Sequence, residues 1–272
     1  MDNLNIKNQA CRLWKECFGD DDDFIHHYLD YAFANNLFYF SENNKELVSF
    51  LSLIPVKLFS DNKELQGYYL YGVATSPEFR GQGAGKRLLA KALQSLSFDF
   101  IVTIPASDSL FKYYRNQGFT HFLKRGIRTC LFSESNEIKG SIEQIFPDDP
   151  QVLFAKEAMK NIRKGFRWGY THYLYLFGEY ERDNAEIRFF KTPDKDVNYL
   201  VLKVENEYCT VLDSDMEPDE AMTALILSGL DKDMQVLFFE ATDEGSRYAS
   251  VRFSENTMHA DLSSASLTLA LD

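Results

Sequence analysis

Residues Tyr71–Arg87 read YGVATSPEFRGQGAGKR: an apolar β-type run, a break at Pro77, an arginine-led glycine turn and then a helix start. This stretch restricts the fold more than any other, because residue types at fixed offsets dictate the backbone path. Leu70, Val73 and the tyrosines around them suit a strand. Pro77 ends that strand, since it cannot donate to a sheet ladder. Gly81, Gly83 and Gly85 remove side chains just where Lys86, Arg87, Leu88 and Leu89 begin a helix. A helix N-terminus presents unpaired N–H groups and about half a positive charge, so bare backbone there makes an anion cradle. Arg80 and Lys86 add full charges. The segment is built to hold a phosphate.

Spacing separates the glycine-rich loops that could do so. A Walker loop needs Gly, four residues, then Gly-Lys-Ser/Thr. Gly85-Lys86 fits its end, but positions 80 and 87 are both Arg. The dinucleotide fingerprint needs G-x-G-x-x-G, and after Gly81 and Gly83 its third glycine falls on Lys86. What remains is Arg/Gln-x-x-Gly-x-Gly/Ala after a strand, matched by Arg80, Gly83 and Gly85. A second pattern follows downstream. Leu110, Phe111 and Tyr114 form an apolar stripe on a short helix, Ser107 is placed to cap it, and Gly118 to stop it. The segment Tyr114-Arg115-Asn116-Gln117-Gly118-Phe119 reads Tyr-x-x-x-Gly-Phe.

Together these resemble motifs A and B of the GNAT acetyltransferase superfamily, over about residues 45–120. The likeness extends to bacterial tandem-GNAT proteins, including the enhanced-intracellular-survival type, in which a catalytic N-terminal domain precedes a degenerate second one. The resemblance implies an α/β (α+β) fold with a mixed, mostly antiparallel sheet, followed by a second, GNAT-like α/β domain. It implies acetyl-CoA as co-substrate, gripped where two neighbouring strands splay apart. Backbone groups of Val73, Ala74 and Thr75 are then expected along the pantetheine arm. The amides of Gly81, Gln82, Gly83, Ala84, Gly85 and Lys86 take the pyrophosphate, supported by Arg80 and Lys86. Tyr114 protonates the departing thiolate, a sensible task for a phenol of pKa about 10 against a thiol of about 8.5. The implied activity is N-acetylation of a primary amine on a small molecule, a polyamine or aminoglycoside, or a peptide. The alternative is an acyl-CoA-binding or sensing module without catalysis.

The resemblance leaves the general base open. Some relatives carry a carboxylate on the strand before the loop, yet no acid occurs from Leu65 through Ser76. Water, an acid such as Glu240 and the terminal carboxylate of Asp272 are all candidates. Pro105 stands where many relatives have Asn.

The rest of the chain is consistent with two domains. Its 272 residues are 45% hydrophobic and 15% aromatic, enough for two cores. A net charge of −12 disfavours a nucleic-acid partner and suits a cationic amine. Charges interrupt every apolar run before membrane length, and Met1-Asp2-Asn3 does not open like a cleavable leader, so a cytoplasmic protein is expected. Cys11, Cys17, Cys130 and Cys209 show no CxxC or His spacing, which predicts buried free thiols and no metal. The oligomeric state is open.

Apolar periodicity predicts two opening helices, with Asp20–Asp23 capping the second. Strands are expected over Leu37–Phe40, Leu47–Phe59 with a break near Pro55, Leu65–Thr75, Phe98–Ile104 and Phe119–Leu131. A catalytic domain of 1–132 and a linker of 133–140 then precede a second domain of 141–272. There, helices are expected over Pro150–Lys164, Tyr170–Phe190 and Pro218–Leu230. A hairpin joins Tyr199–Val204 to Tyr208–Leu212, and strands cover Gln235–Glu240 and the alternating Leu267, Leu269 and Leu271. Hairpin, helix and strand repeat the first half's order. In place of the glycine loop stand Asp213, Asp215, Glu217, Asp219 and Glu220, which would repel a pyrophosphate. The second domain is therefore expected to have no cofactor site of its own.

Overall fold

A computed structural model describes residues 3–60, 63–131, 142–160, 165–231, 233–242, 244–254, 257, 260, 262 and 265. The chain divides into two compact units, and neither is a continuous stretch of sequence. The first comprises Met1–Val56, Leu65–Phe122 and Ala249–His259; the second comprises Lys57–Glu64, Leu123–Tyr248 and Ala260–Asp272. The expected linker over 133–140 and the final strand around Leu267–Leu271 lie outside the described residues, as does Asp272.

The first unit opens with α1 (Asn3–Phe18) and α2 (Asp22–Ala34). Asp21 caps α2 by accepting from Phe24 N–H at 2.8 Å, and Asp22 and Asp23 occupy its first turn, where the helix dipole favours negative charge. The strands β1 (Phe38–Asn43), β2 (Glu46–Ser60), β3 (Lys63–Thr75) and β4 (Phe100–Thr103) follow, with α3 (Ala84–Gln94) between β3 and β4. The helix α4 (Asp108–Arg115) comes next, capped by Ser107, and Gly118 adopts φ +90° just beyond it. β2 does not break at Pro55. The β1–β2 ladder ends at Phe38 with Ser52, so the proline stands past it, exposed, where its missing N–H removes no bond of that ladder.

One residue order decides where the sheet opens. β3 and β4 pair in parallel only from Gly67 with Phe100 to Tyr69 with Val102, while β3 runs on to Thr75. Thr103 Oγ1 donates to Leu70 O at 2.9 Å at the point of parting. Beyond it Gly72 takes φ +57°, and a Cβ there would meet the Trp14 ring at 2.9 Å, so only glycine fits this kink. One face of the sheet carries the aromatic packing of α1 and α2, where Trp14 stacks on Phe50 and touches Tyr28 and Tyr71. The other carries Leu88, Leu89, Ala92 and Leu93 of α3 against Leu51, Leu53, Leu70, Ile101, Tyr114 and Phe119. Each such leucine contributes about 1.5–3 kcal/mol on burial, which fixes the axis of α3 and the direction of its N-terminus.

The other strand beside β4 comes from the far end of the sequence. β12 (Ser246–Phe253) pairs antiparallel with β4, from Ser250 with Thr103 to Phe253 with Phe100. Reciprocally, β5 (His121–Leu131) contributes to the second unit, pairing antiparallel with β11 (Gln235–Ala241). The strand order there is β5, β11, β10 (Tyr208–Ser214), β9 (Asn198–Glu205), β8 (Glu186–Lys191) and β6 (Glu143–Ile145). β10 and β11 are parallel and the other pairs antiparallel. The helices are α5 (Pro150–Lys160), α6 (Tyr170–Arg182) and α7 (Pro218–Leu227), and β7 (Gly165–Trp168) precedes α6.

One expected helix is shorter than its apolar pattern suggests. The Tyr170–Phe190 stretch is helical only to Arg182; Asn184 turns the chain at φ +57° and β8 begins at Glu186. α7 also stops at Leu227, with Gly229 at φ +85° just after it. The hairpin of β9 and β10, then α7, then parallel β11, repeats the order of β2, β3, α3 and β4.

Candidate functional site

The site is assembled where β3 ends and α3 begins. After β3, Pro77–Phe79 makes a single 3-10 turn, closed by Arg80 N–H to Pro77 O at 3.2 Å. Gly81 and Gly83 then take φ +73° and +74°, a backbone that side-chain-bearing residues adopt only with strain. Gly83 is the N-cap of α3 and offers no side-chain oxygen to it. Among the described residues, the amides of Gly81, Gln82, Gly83, Ala84, Gly85 and Lys86 have no acceptor; the first helical bond is Arg87 N–H to Gly83 O at 3.0 Å. Six consecutive donors are therefore left to water or to a ligand, at the positive end of a helix dipole.

The charge around them has the sign an anion needs. From Phe79 to Phe98 the chain carries Arg80, Lys86, Arg87 and Lys91 and no acid, in a protein of net charge −12. None of the four cations joins an ion pair among the described residues. Two are nonetheless engaged. Arg87 Nη1 donates to Gln82 O at 2.6 Å, and Gln82 Nε2 to Glu78 O at 2.8 Å, so these side chains lock the loop. Arg80 turns back towards β3, donating from Nε to Thr75 O at 3.0 Å and lying 3.3 Å from Cys17 Sγ through Nη2. Arg80 thus braces the strand end against the loop, and Lys86 is exposed on the first turn beside Arg87. Beside α3, a cavity of about 410 Å³ is lined by Arg87, Lys91, Gln82, Glu42, Phe79 and Val48, among others.

Backbone alternation orients the end of β3. Ser76 N–H donates to Val48 O at 2.9 Å, and Ala74 O accepts from Ser49 Oγ at 2.6 Å, so both polar groups face β2. The amides of Val73 and Thr75 consequently point the other way, towards the side on which β4 diverges. Tyr114 lies on α4 near the point of parting. It is 6% exposed and packs edge-on to Phe119 at 5.3 Å. Burial pushes its phenol well above the ordinary value near 10, with Tyr113 adding to the shift and nearby Thr103 opposing it. The phenol therefore stays protonated across the physiological range.

The structure brings Val73, Ala74, Thr75, Arg80, the Gly81–Lys86 amides and Tyr114 into one unit. The sequence reading missed three neighbours. Ser49 and Thr103 each lie inside an apolar strand run, and Tyr113 falls off the apolar stripe of α4. The four cysteines are free, but only Cys209 is buried; Cys11 and Cys17 lie outside the buried face of α1, and Cys130 packs at the edge of the second unit's core, so these three are half-buried. Glu240, a candidate base, lies 3.5 Å from Arg128 in an exposed ion pair on β11. Among the described residues, no three His, Cys, Asp or Glu side chains gather to hold a metal, and no helix is long and apolar enough to cross a membrane.

Residues 6–122, which span the glycine turn and Tyr114, match the family model of the GNAT acetyltransferase domain. The match covers 117 of the 272 residues and likens this segment to the acetyltransferases of that family. Solved structures share the fold over 93% of this chain. One is a conserved protein from Enterococcus faecalis V583 described as a probable N-acyltransferase, with 12% identity, 71% of that chain covered and TM-score 0.72. Another is a GCN5-related N-acetyltransferase from Anabaena variabilis, with 13% identity, 71% covered and TM-score 0.67. Eis1 from Mycobacterium abscessus follows the same path at 9% identity, 72% covered and TM-score 0.64. No curated protein sequence matches the chain.

Proposed function

We propose that the protein transfers an acetyl group from acetyl-CoA to a primary amine, and that it does so in the cytoplasm. The observation that carries this reading is the row of six acceptor-less amides over Gly81–Lys86, placed beside the parting of β3 and β4. A pyrophosphate supplies the acceptors those donors lack, and the opening between the strands suits the slender arm that follows it. Bound there, acetyl-CoA supplies an activated thioester. Arg80 and Arg87 hold the loop open in its binding shape, and Lys86 adds charge. The Val73 and Thr75 amides are turned to where the arm and the thioester carbonyl are to lie, an oxyanion-type contribution. Tyr114 holds a proton at its hydroxyl for the sulfur that leaves.

The same reading treats residues 1–132 and 141–272 as two copies of one α/β repeat, joined through 133–140 and each lending a strand to the other's unit. Only the first keeps the cradle. The test is a thiol-release assay with acetyl-CoA against amines, polyamines, aminoglycosides and peptides. Release that depends on one amine class supports transfer. Binding of acetyl-CoA with no release against any amine reduces the protein to an acyl-CoA-binding module.

A further inference from the structure

Tyr113 has no part in the roles above, yet its hydroxyl stands at the head of α3. The side chain is 39% exposed, unlike its buried neighbour Tyr114. Gly85, in the first turn of α3, is buried, and a Cβ there would lie 3.3 Å from Thr75 Oγ1, 3.5 Å from Tyr113 Oη and 3.9 Å from Ser49 Oγ. Hydroxyls from β2, β3 and α4 therefore converge on the turn whose amides lack acceptors.

Counting protons shows what this group can bind. Ser49 is fully buried and donates its one proton to Ala74 O at 2.6 Å. The 3.0 Å contact between Ser49 Oγ and Thr75 Oγ1 must then be donated by Thr75. Thr75 Oγ1 is left facing α3 with lone pairs only. Tyr113 keeps its proton, since no described residue accepts from it. An acceptor and a donor that both face this turn match a chain of secondary amides, which offers N–H and C=O groups along its length. A phosphate brings acceptors alone and would meet the Thr75 lone pairs unfavourably. The arm between the thioester and the pyrophosphate of coenzyme A carries secondary amides.

We infer that Tyr113 is a positioning residue for the acyl carrier: its phenol donates to an amide carbonyl of the pantetheine arm while Thr75 Oγ1 accepts from an amide N–H. This rests on the acetyl-CoA reading and adds to it the residue pair that grips the arm. The test is calorimetric titration of the wild type and Tyr113→Phe with coenzyme A and, separately, with adenosine 3′,5′-bisphosphate, which lacks the arm. Tyr113→Phe should bind coenzyme A about tenfold more weakly, bind the bisphosphate as the wild type does, and unfold at the wild-type temperature. In turnover the loss should fall on KM for acetyl-CoA and not on kcat. Unchanged coenzyme A affinity, or equal weakening for both ligands, overturns the inference. A wild type that fails to bind coenzyme A at all brings down the functional reading itself, and the inference with it.

Discussion

The connections into α3 and into α7 both lead from a strand to a helix, and they treat the helix N-terminus in opposite ways. Before α3, glycines leave six amides bare and four cations surround them. Before α7, the protein's own carboxylates fill the equivalent place. Glu217 and Glu220 form a capping box, with Glu217 N–H donating to Glu220 Oε2 at 3.3 Å. Asp215 accepts from Tyr199 N–H at 2.7 Å and is ion-paired with Lys195, while Asp213 accepts from Tyr199 Oη and from Ser214 N–H. A strand–turn–helix connection does not by itself make an anion site. What makes one is leaving the helix end unsatisfied. The second turn has spent that capacity on stability, where a cap is worth roughly 0.5–2 kcal/mol.

The largest effect should come from making the first turn resemble the second. Gly83→Glu places a carboxylate among the bare amides at a position of φ +74°. Isothermal titration should find acetyl-CoA affinity reduced at least about 100-fold, from repulsion and strain together. Retained affinity would mean that the amides are not the grip. Next in size is Tyr114→Phe, which should leave acetyl-CoA affinity in place and lower kcat by about 10²–10⁴. Because burial holds the Tyr114 phenol protonated, the wild-type rate should show no alkaline loss from this group up to about pH 10; a limb centred near 8 would assign the acid elsewhere.

The smallest effect concerns the second unit alone. His172 is buried against Trp168 and Tyr175, and burial lowers its pKa to about 3 from an ordinary 6.5. A depressed pKa means the unfolded chain binds the proton more readily, so this group's stability is complete above pH 6.5 and drains away towards pH 3. The slope is at most about 1.4 kcal/mol per pH unit. Denaturant titrations of His172→Phe should show a shallower loss over that window than the wild type, whatever its stability at neutral pH. Parallel slopes would refute the assignment.

Local chemistry was the legible part of this molecule. Gly83, Pro77, Ser107 and Gly118 each dictate the backbone at their own position, so the turn before α3 and the helix bearing Tyr114 followed from residue types alone. Asp21 as a cap was legible for the same reason. Strand partnership was not, since pairing β4 with β12 and β11 with β5 depends on contacts between distant segments that leave no local mark. Aromatic-rich Tyr170–Phe190 fits helix and strand alike, and only the left-handed Asn184 divides it. Tyr113 escaped notice because apolar periodicity on α4 points to the core, whereas its role depends on what Gly85 allows to come near.

The most direct test is to follow backbone amide resonances during a coenzyme A titration. Gly81, Gly83 and Gly85 should shift to saturation while the amides of 215–220 stay fixed, because a pyrophosphate is drawn to bare amides and repelled by carboxylates. Shifts at Asp215–Glu220, or a saturated complex in which the three glycine amides have not moved, would contradict it.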